Sequence, residues 1–479
     1  MKICIVAEGC YPYVVGGVSG WINSMICAFP NIEFEILAII SNREGSGKFA
    51  YDLPDNVTAV YEAYLDDYDF KSDHPRFEKK KLSHSEYNAL RSVVMGQNTE
   101  WNVLFDLFNK KKISVDSLLM GEDFLRIVEE CYDEGFSQIV FSDFLWTMRS
   151  IYLPLFLMLG TKIPKADIYH CVSTGYAGVL GGMAKHLYGC PLMISEHGIY
   201  TREREEEILK ATWVGGVYKS IWIDQFRKMS KLAYDSADIV TSLYAHAGKL
   251  QEQIGCPKNK IVITPNGITV ENFENIPLKN EDEKKYIQIG AVLRVAPIKD
   301  VKTLIQAFSY AKEKVPELKL FIMGPVDEDP EYVHECYDLV RDLRVKDVVF
   351  TGRINTRDYL GRMDFTILTS ISEGQPLTIL ESFAAHKPVI ATDVGDCKGL
   401  VYGEEGDTFG DAGIITHIMN TQEISDAIVK LAESEKLRTE MGEVGYKRVC
   451  EYFRVEYMKD QYKDLYERLR VMKVERSRS

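Results

Sequence analysis

Two stretches in the second half of the chain carry charged residues at spacings suited to phosphate-ester chemistry. Ser372-Glu-Gly-Gln-Pro-Leu-Thr-Ile-Leu-Glu-Ser382 follows the apolar run Phe365 to Thr369 and leads into a helical pattern beginning near Leu377. Pro376 suits the first turn of that helix, where the N–H groups of Leu377 and Thr378 lack intrahelical acceptors and form an anion site fit for a diphosphate. Glu381 falls about one turn in, where a carboxylate can accept two hydrogen bonds from a vicinal diol such as a ribose. Glu373, in a loop with Gly374 and Gln375, would face whatever hangs beyond the phosphates. Upstream, Ile289-Gly-Ala-Val-Leu-Arg-Val-Ala-Pro-Ile-Lys-Asp300 closes a strand and enters a helix, with Arg294 and Lys299 five positions apart across the turn. Fixed cations aimed at a departing nucleoside diphosphate lower the barrier to its loss, Arg as a fork and Lys as a point charge. Two glutamates near a helix start could alone do no more than favour its dipole. Their pairing with two cations in the same half singles this region out.

The first half holds weaker signals. Tyr11-Pro-Tyr-Val-Val-Gly-Gly-Val-Ser-Gly20 follows a strand, and Gly16 and Gly17 would let backbone N–H groups approach a phosphate or sugar, although the stretch lacks the G-x-G-x-x-G pattern. Ser195-Glu-His-Gly198 ends another strand and would expose His197 at its carboxyl end, while His170 reads mainly as structural. Asp327-Glu-Asp329 superficially resembles a metal-chelating pair, but with Arg and Lys already supplying positive charge no metal is expected.

The elements that must position these residues are short β-branched runs alternating with helical patterns, as in parallel sheets covered on both faces. Strands are expected at 2–7, 34–40, 139–142, 167–171, 191–195, 239–242 and 260–264, then at 285–293, 319–323, 348–351, 365–369, 388–392 and 413–415. The alternation fails between Tyr51 and Glu134, where the polar stretch Phe77-Glu-Lys-Lys-Lys-Leu82 precedes patterns like Leu118 to Tyr132, so a helical insertion is expected. A turn-rich segment from Pro265-Asn-Gly-Ile268 to Lys284 marks a domain boundary, with Asn266-Gly267 as a tight turn of positive φ. The tail from Arg454 to Arg470 reads as helix ending in an unstructured Arg-Ser-Arg-Ser. The run Ile151 to Gly160 reads as a buried helix, being half the length of a membrane span.

A chain of 479 residues exceeds one hydrophobic core, and 46% hydrophobic residues suffice for packing throughout. Fifty-seven Lys and Arg against 71 Asp and Glu leave a net charge of −14, which argues against nucleic acid or anionic lipid as the main partner. Ten scattered cysteines without a C-x-x-C pair suggest reduced thiols rather than a zinc or redox site. The N-terminus offers no apolar stretch long enough for a secretory signal.

Arg-x4-Lys after one strand and Glu-x7-Glu some 80 residues on resemble the family-4 retaining glycosyltransferases of GT-B fold, and the Pro-Asn-Gly turn matches theirs. The resemblance implies two Rossmann-like doubly wound domains facing across a cleft. They would comprise 1–265, with an insertion at about 51–134 and completed by a C-terminal helix at about 454–479, and 266–453. It implies Arg294 and Lys299 on the donor diphosphate, Glu381 on the ribose, Glu373 and His197 at the donor sugar, and Gly16 and Gly17 facing the phosphates. Gly374, Gln375, Pro376, Leu377, Thr378 and Asn266 complete the donor site.

The opening Val6-Ala-Glu-Gly-Cys-Tyr-Pro-Tyr-Val-Val-Gly-Gly-Val-Ser-Gly-Trp-Ile22 and Ser195-Glu-His-Gly-Ile-Tyr-Thr-Arg-Glu-Arg204 resemble, more narrowly, the PelF-type glycosyltransferases of Pel exopolysaccharide operons. That implies a UDP-sugar donor (UDP-glucose or UDP-N-acetylhexosamine), a growing polysaccharide acceptor and membrane-embedded synthase subunits as partners. The expected enzyme is a retaining, metal-independent hexosyltransferase needing no cofactor. Its expected place is the cytoplasm, with association to the inner face of the cell membrane through partners left open. A nucleotide-binding scaffold subunit and a nucleotide-sugar epimerase on the same architecture are the alternatives.

Overall fold

The computed structural model describes residues 1–67, 81–96 and 98–478. The chain divides into two compact units, Met1–Ile263 with Lys463–Ser479, and Thr264–Tyr462. Each is built on one parallel sheet.

In the first unit the strands are β1 (Lys2–Glu8), β2 (Glu33–Ile40), β3 (Val57–Tyr64), β4 (Ile168–Cys171), β5 (Leu192–Glu196), β6 (Ile239–Ser242) and β7 (Ile261–Ile263). They lie in the order β3-β2-β1-β4-β5-β6-β7. The central strands are continuous apolar runs because helices cover both faces: Ile3 to Ala7 are all buried, as is the whole of β4. β3 is a correction to the expected all-helical insertion. Among the described residues it is an edge strand, pairing with β2, and its sequence Val-Thr-Ala-Val-Tyr-Glu-Ala-Tyr mixes polar and apolar residues because it is half exposed. The insertion then continues as helices His84–Val94, Trp101–Asn109, Val115–Leu119 and Glu122–Gly135, with a break at Met120 and Gly121. Of the polar stretch Phe77 to Leu82, residues 77–80 lie outside the described residues.

The strand expected at 139–142 is also corrected. Val140 caps the helix Phe141–Leu159, whose apolar residues pack Phe144, Met148, Tyr152 and Phe156 into the same core as the insertion helices. Ile-Val-Phe is too short a run to tell strand from helix by periodicity. Pro154 lies inside this helix, within the run expected to be a buried helix.

In the second unit β8 (Ile287–Val292), β9 (Leu318–Met323), β10 (Val348–Gly352), β11 (Phe365–Leu368), β12 (Val389–Thr392) and β13 (Gly413–Thr416) lie in the order β10-β9-β8-β11-β12-β13. The chain closes in the helix Val455–Arg478, which includes the supposedly unstructured Arg-Ser-Arg. Arg476 is held there by both carboxylate oxygens of Asp238, at 2.6 and 3.1 Å.

Gly267 departs from expectation in its reason. It is not among the glycines of positive φ, but a Cβ there would sit 2.5 Å from the Arg454 carbonyl oxygen and 2.7 Å from the Cα of Val455. Glycine permits the close approach by which Ile268 and Arg454 form a parallel bridge.

Candidate functional site

The order of the second sheet reverses between β8 and β11, and in open α/β sheets such a switch point leaves a crevice at the strands' carboxyl ends. The loops leaving those two ends carry Arg294, Lys299 and Glu373. They are bonded together: the Thr369 hydroxyl donates to the Lys299 carbonyl at 3.0 Å, and the Ile371 N–H to the Ile298 carbonyl at 2.9 Å. Lys299 ends a short turn, Pro297–Lys299, and its ammonium forms an ion pair with Glu373. The Ser370 hydroxyl donates to the same Glu373 oxygen at 2.5 Å. With the two side chains 16% and 12% exposed, the pair is partly shielded from solvent screening.

Arg294 differs. Its guanidinium is half exposed and pairs with Glu328 on the loop after β9, an arrangement worth little to stability. Glu328 thus has a partner of its own, and the neighbouring Asp329 caps the helix Pro330–Asp342 by accepting from the Tyr332 N–H at 3.0 Å. Among the described residues no group of three or more His, Cys, Asp or Glu side chains could hold a metal ion.

The helix after the glutamate loop is Leu377–Ala384, with Pro376 at its cap rather than in its first turn. The Ile379 N–H reaches the Pro376 carbonyl at 3.1 Å, whereas among the described residues no acceptor meets those of Leu377 and Thr378. Glu381, one turn further, is half-buried and no side-chain donor among the described residues reaches it. Burial pushes its carboxyl up to about 7, with only the distant pull of Arg357 against it. Near neutral pH, this group gains from any ligand that brings hydroxyl donors.

Gln375 is a brace. Its side-chain oxygen accepts from the Asn266 N–H at 2.7 Å, and its amide donates to Asp396 at 2.7 Å. Burial raises the Asp396 carboxyl to about 7. The Asp396 N–H in turn bonds the Gly374 carbonyl at 2.9 Å. Gly395, at φ 55°, packs so closely that a Cβ would lie 2.3 Å from the carbonyl oxygens of Glu373 and Gly374. The sequence reading missed this Gly395-Asp396 turn, although it too is a loop between an apolar strand and a helix.

In the first unit Gly16 caps the helix Gly17–Ala28, and a Cβ on Gly16 or Gly17 would meet nothing within 4 Å. The protein's own packing therefore does not require these glycines. Trp21 of that helix stacks edge-on against His197, ring centroids 4.4 Å apart. The Nε2 of His197 is buried without a partner, and burial lowers the ring to about 4, so it is neutral at physiological pH. His170 is structural: its nitrogens bond Tyr466 at 2.9 Å and Ser195 at 2.7 Å. Glu196, beside His197, is fully enclosed and accepts from Thr174, Tyr234, Gln251 and the Tyr200 N–H.

Residues 1–259 match the family described as a domain of unknown function, DUF3492. The chain belongs to that family. Its residues 270–448, which hold the ion-paired loop and the helix after it, match the family of glycosyl transferases group 1. The chain is 31% identical over 189 residues to the N-acetyl-alpha-D-glucosaminyl L-malate synthase of Bacillus anthracis, covering 39% of this chain and 46% of that protein. It is 30% identical over 195 residues to the alpha-monoglucosyldiacylglycerol synthase of Streptococcus pneumoniae, covering 36% of this chain and 43% of the other. The matched part thus spans less than half the length of these curated relatives. Among solved structures, Anabaena HepE in complex with UDP and glucose aligns over 98% of this DUF3492 chain and 99% of its own, with TM-score 0.60 and 14% identity. A sucrose-phosphate synthase from Thermosynechococcus elongatus aligns over 98% of each chain with TM-score 0.62 and 14% identity. The fold is therefore GT-B. No helix among the described residues is long and apolar enough to cross a membrane.

Proposed function

We propose that this protein is a retaining, metal-independent glycosyltransferase that moves a hexosyl group from a UDP-sugar to a growing exopolysaccharide of the Pel type. The observation that carries the reading is the cluster at the β8/β11 switch point: a shielded ammonium paired with Glu373, two helix N–H groups without acceptors among the described residues, and a half-buried carboxylate that no side-chain donor among them reaches. Those are the groups a nucleoside diphosphate needs: cation and N–H for the phosphates, carboxylate for the ribose diol. The group 1 glycosyl transferase match over residues 270–448 supports it, as does the fold shared with a protein solved with UDP and glucose. The Pel-type acceptor and synthase partners rest on the likeness of residues 6–22 and 195–204 to PelF-type enzymes.

In this mechanism the incoming diphosphate draws Lys299 from Glu373 and Arg294 from Glu328. As the bond from the anomeric carbon to the phosphate oxygen breaks, both electrons leave with that oxygen. Lys299, Arg294 and the N–H groups of Leu377 and Thr378 stabilise the charge. The oxocarbenium-like carbon is attacked by the acceptor hydroxyl on the face the phosphate leaves, and the leaving phosphate takes the hydroxyl proton. Glu373, released from Lys299, and the neutral His197 orient the sugar. Gly16 and Gly17 admit the phosphates closely. The cytoplasm, beside the membrane through its partners, is where UDP-sugars and such a synthase meet.

The test is UDP formation by purified protein with UDP-sugar and glycan acceptor in excess chelator, with the anomeric configuration of the product read by NMR. UDP release and an axial product from an axial donor are expected. Strict dependence on magnesium, inversion, or UDP binding without release would overturn the reading, the last in favour of a scaffold role.

A further inference from the structure

Asp396 stands at a cap position that it does not use. Elsewhere in the second unit Asp300 precedes the helix Val301–Lys314 and accepts from the Thr303 N–H at 3.4 Å, as Asp329 does from the Tyr332 N–H at 3.0 Å. Aspartate is favoured at such positions because its carboxylate takes up an N–H group that the helix leaves free. Asp396 precedes the helix Cys397–Tyr402 and makes no bond of that kind. Its carboxylate turns to the Gln375 amide instead.

That turn is unfavourable for the fold. Asp396 is 4% exposed, and no ammonium or guanidinium among the described residues pairs with it. Glu404 brings like charge, which adds to burial in raising the Asp396 carboxyl. Gly399 makes room for both acids: a Cβ there would lie 2.6 Å from Asp396 Oδ1 and 2.7 Å from Glu404 Oε1. It is not among the glycines of positive φ, so its need is for space alone. A buried acid without a cation, set beside a second acid and withdrawn from its own helix, is not explained by stability.

The arrangement gives an amide that can stand only one way round. The Asn266 main-chain N–H can only donate, and it meets the Gln375 side-chain oxygen. The amide NH₂ must then point at residue 396, where Asp396 Oδ2 accepts from it. Oδ1, crowded with the Glu404 oxygen over Gly399, is where a proton is best held, which leaves Oδ2 to accept. Gln375 is itself 6% exposed and follows Glu373 and Gly374 directly, so freeing its side chain frees the loop that carries Glu373.

We infer that Asp396 is a positioning residue for sugar transfer: through Gln375 it sets the loop Glu373–Gln375, and with it the carboxylate that orients the donor sugar. The phosphate contacts do not depend on it. Ile379, Leu380 and Phe383 anchor the helix Leu377–Ala384 in the core, so its N–H groups keep their place when the loop shifts. The inference rests on the transferase reading and adds to it a residue that acts through another.

The experiment measures kcat for UDP release at saturating UDP-sugar and acceptor, beside UDP affinity by calorimetry, for the full-length protein and its variants. Asp396→Ala keeps the backbone bond from residue 396 to Gly374. It should lower kcat about tenfold or more, since a small misplacement of an orienting group slows reaction strongly, while UDP affinity stays within about threefold. Asp396→Asn, whose oxygen can accept from Gln375 and whose NH₂ can donate to Glu404, should hold kcat within about threefold of wild type. Gln375→Ala should match Asp396→Ala, and the double variant should be no slower than Gln375→Ala alone. Wild-type kcat in Gln375→Ala or Asp396→Ala, equal losses of kcat and UDP affinity, a slow Asp396→Asn, or additive losses in the double variant would each overturn the inference. Gln375→Ala and Asp396→Asn decide the matter even where Asp396→Ala fails to fold. Absence of UDP release by wild type would sink the transferase reading and this role with it, whereas a wild-type rate in Asp396→Ala would sink this role alone.

Discussion

Two glutamates at comparable places, each near the carboxyl end of a parallel sheet, have opposite surroundings. Glu196 in the first unit is enclosed and accepts four hydrogen bonds, from Thr174, Tyr200, Tyr234 and Gln251. Glu381 in the second is half-buried, and no side-chain donor among the described residues reaches it. Burial raises both carboxyls, but only Glu196 has the partners that offset it. A satisfied buried carboxylate organises its own domain, whereas a half-buried one that the protein leaves without side-chain donors is open to a ligand that brings them.

The comparison breaks most easily at Glu196. Glu196→Ala leaves four buried donors without an acceptor and should destabilise the first unit by about 3–5 kcal/mol, seen as a large drop in urea midpoint. If it melts like wild type, the network is not structural.

Glu381 should behave in the reverse way. Its carboxyl titrates near 7 in the folded chain against 4.5 when free, so ionising it opposes folding. That penalty is absent below pH 4.5, grows as pH rises through 7 and is constant above. Glu381→Gln should therefore be more stable than wild type at pH 8, by up to about 3 kcal/mol, and no different at pH 4. Its UDP affinity should fall tenfold or more and lose pH dependence, whereas wild-type affinity should weaken as pH falls below 7. Calorimetric titration at pH 5.5 and 8 reads both, and a stability loss at pH 8 would contradict the assignment.

Gly395→Ala sharpens the contrast between loop support and ligand contact. A Cβ 2.3 Å from two carbonyl oxygens must displace the Glu373–Gly374 backbone. We expect a loss of about 1–3 kcal/mol in thermal melts and several-fold weaker UDP binding. Gly16→Ala meets nothing and should leave the melting temperature unchanged, yet slow UDP-sugar turnover several-fold if phosphate approaches that backbone. Unchanged turnover would free the glycine pair of any role.

Much of this was legible in the sequence because buried parallel strands are largely apolar runs, and twelve of the thirteen strands among the described residues stood out that way. β3 escaped because an edge strand needs only one buried face, and Ile139 to Ser142 misled because a brief apolar run fits strand and helix alike. The charged loop residues were visible by spacing after strands. Their partners were not: nothing in the spacing pairs Arg294 with Glu328, Lys299 with Glu373, or Gln375 with Asp396, since those contacts join loops that are distant along the chain. The reason for Gly267 was likewise hidden, because it lies in the approach of Arg454, 187 residues later.

Lys299 carries the central claim, since it is the shielded cation at the switch point and the one held by the glutamate expected at the donor sugar. Single-turnover release of UDP by Lys299→Ala, in excess chelator and at saturating UDP-sugar and acceptor, should be at least about 100-fold slower than wild type with the fold intact by circular dichroism. Release at the wild-type rate would contradict the account.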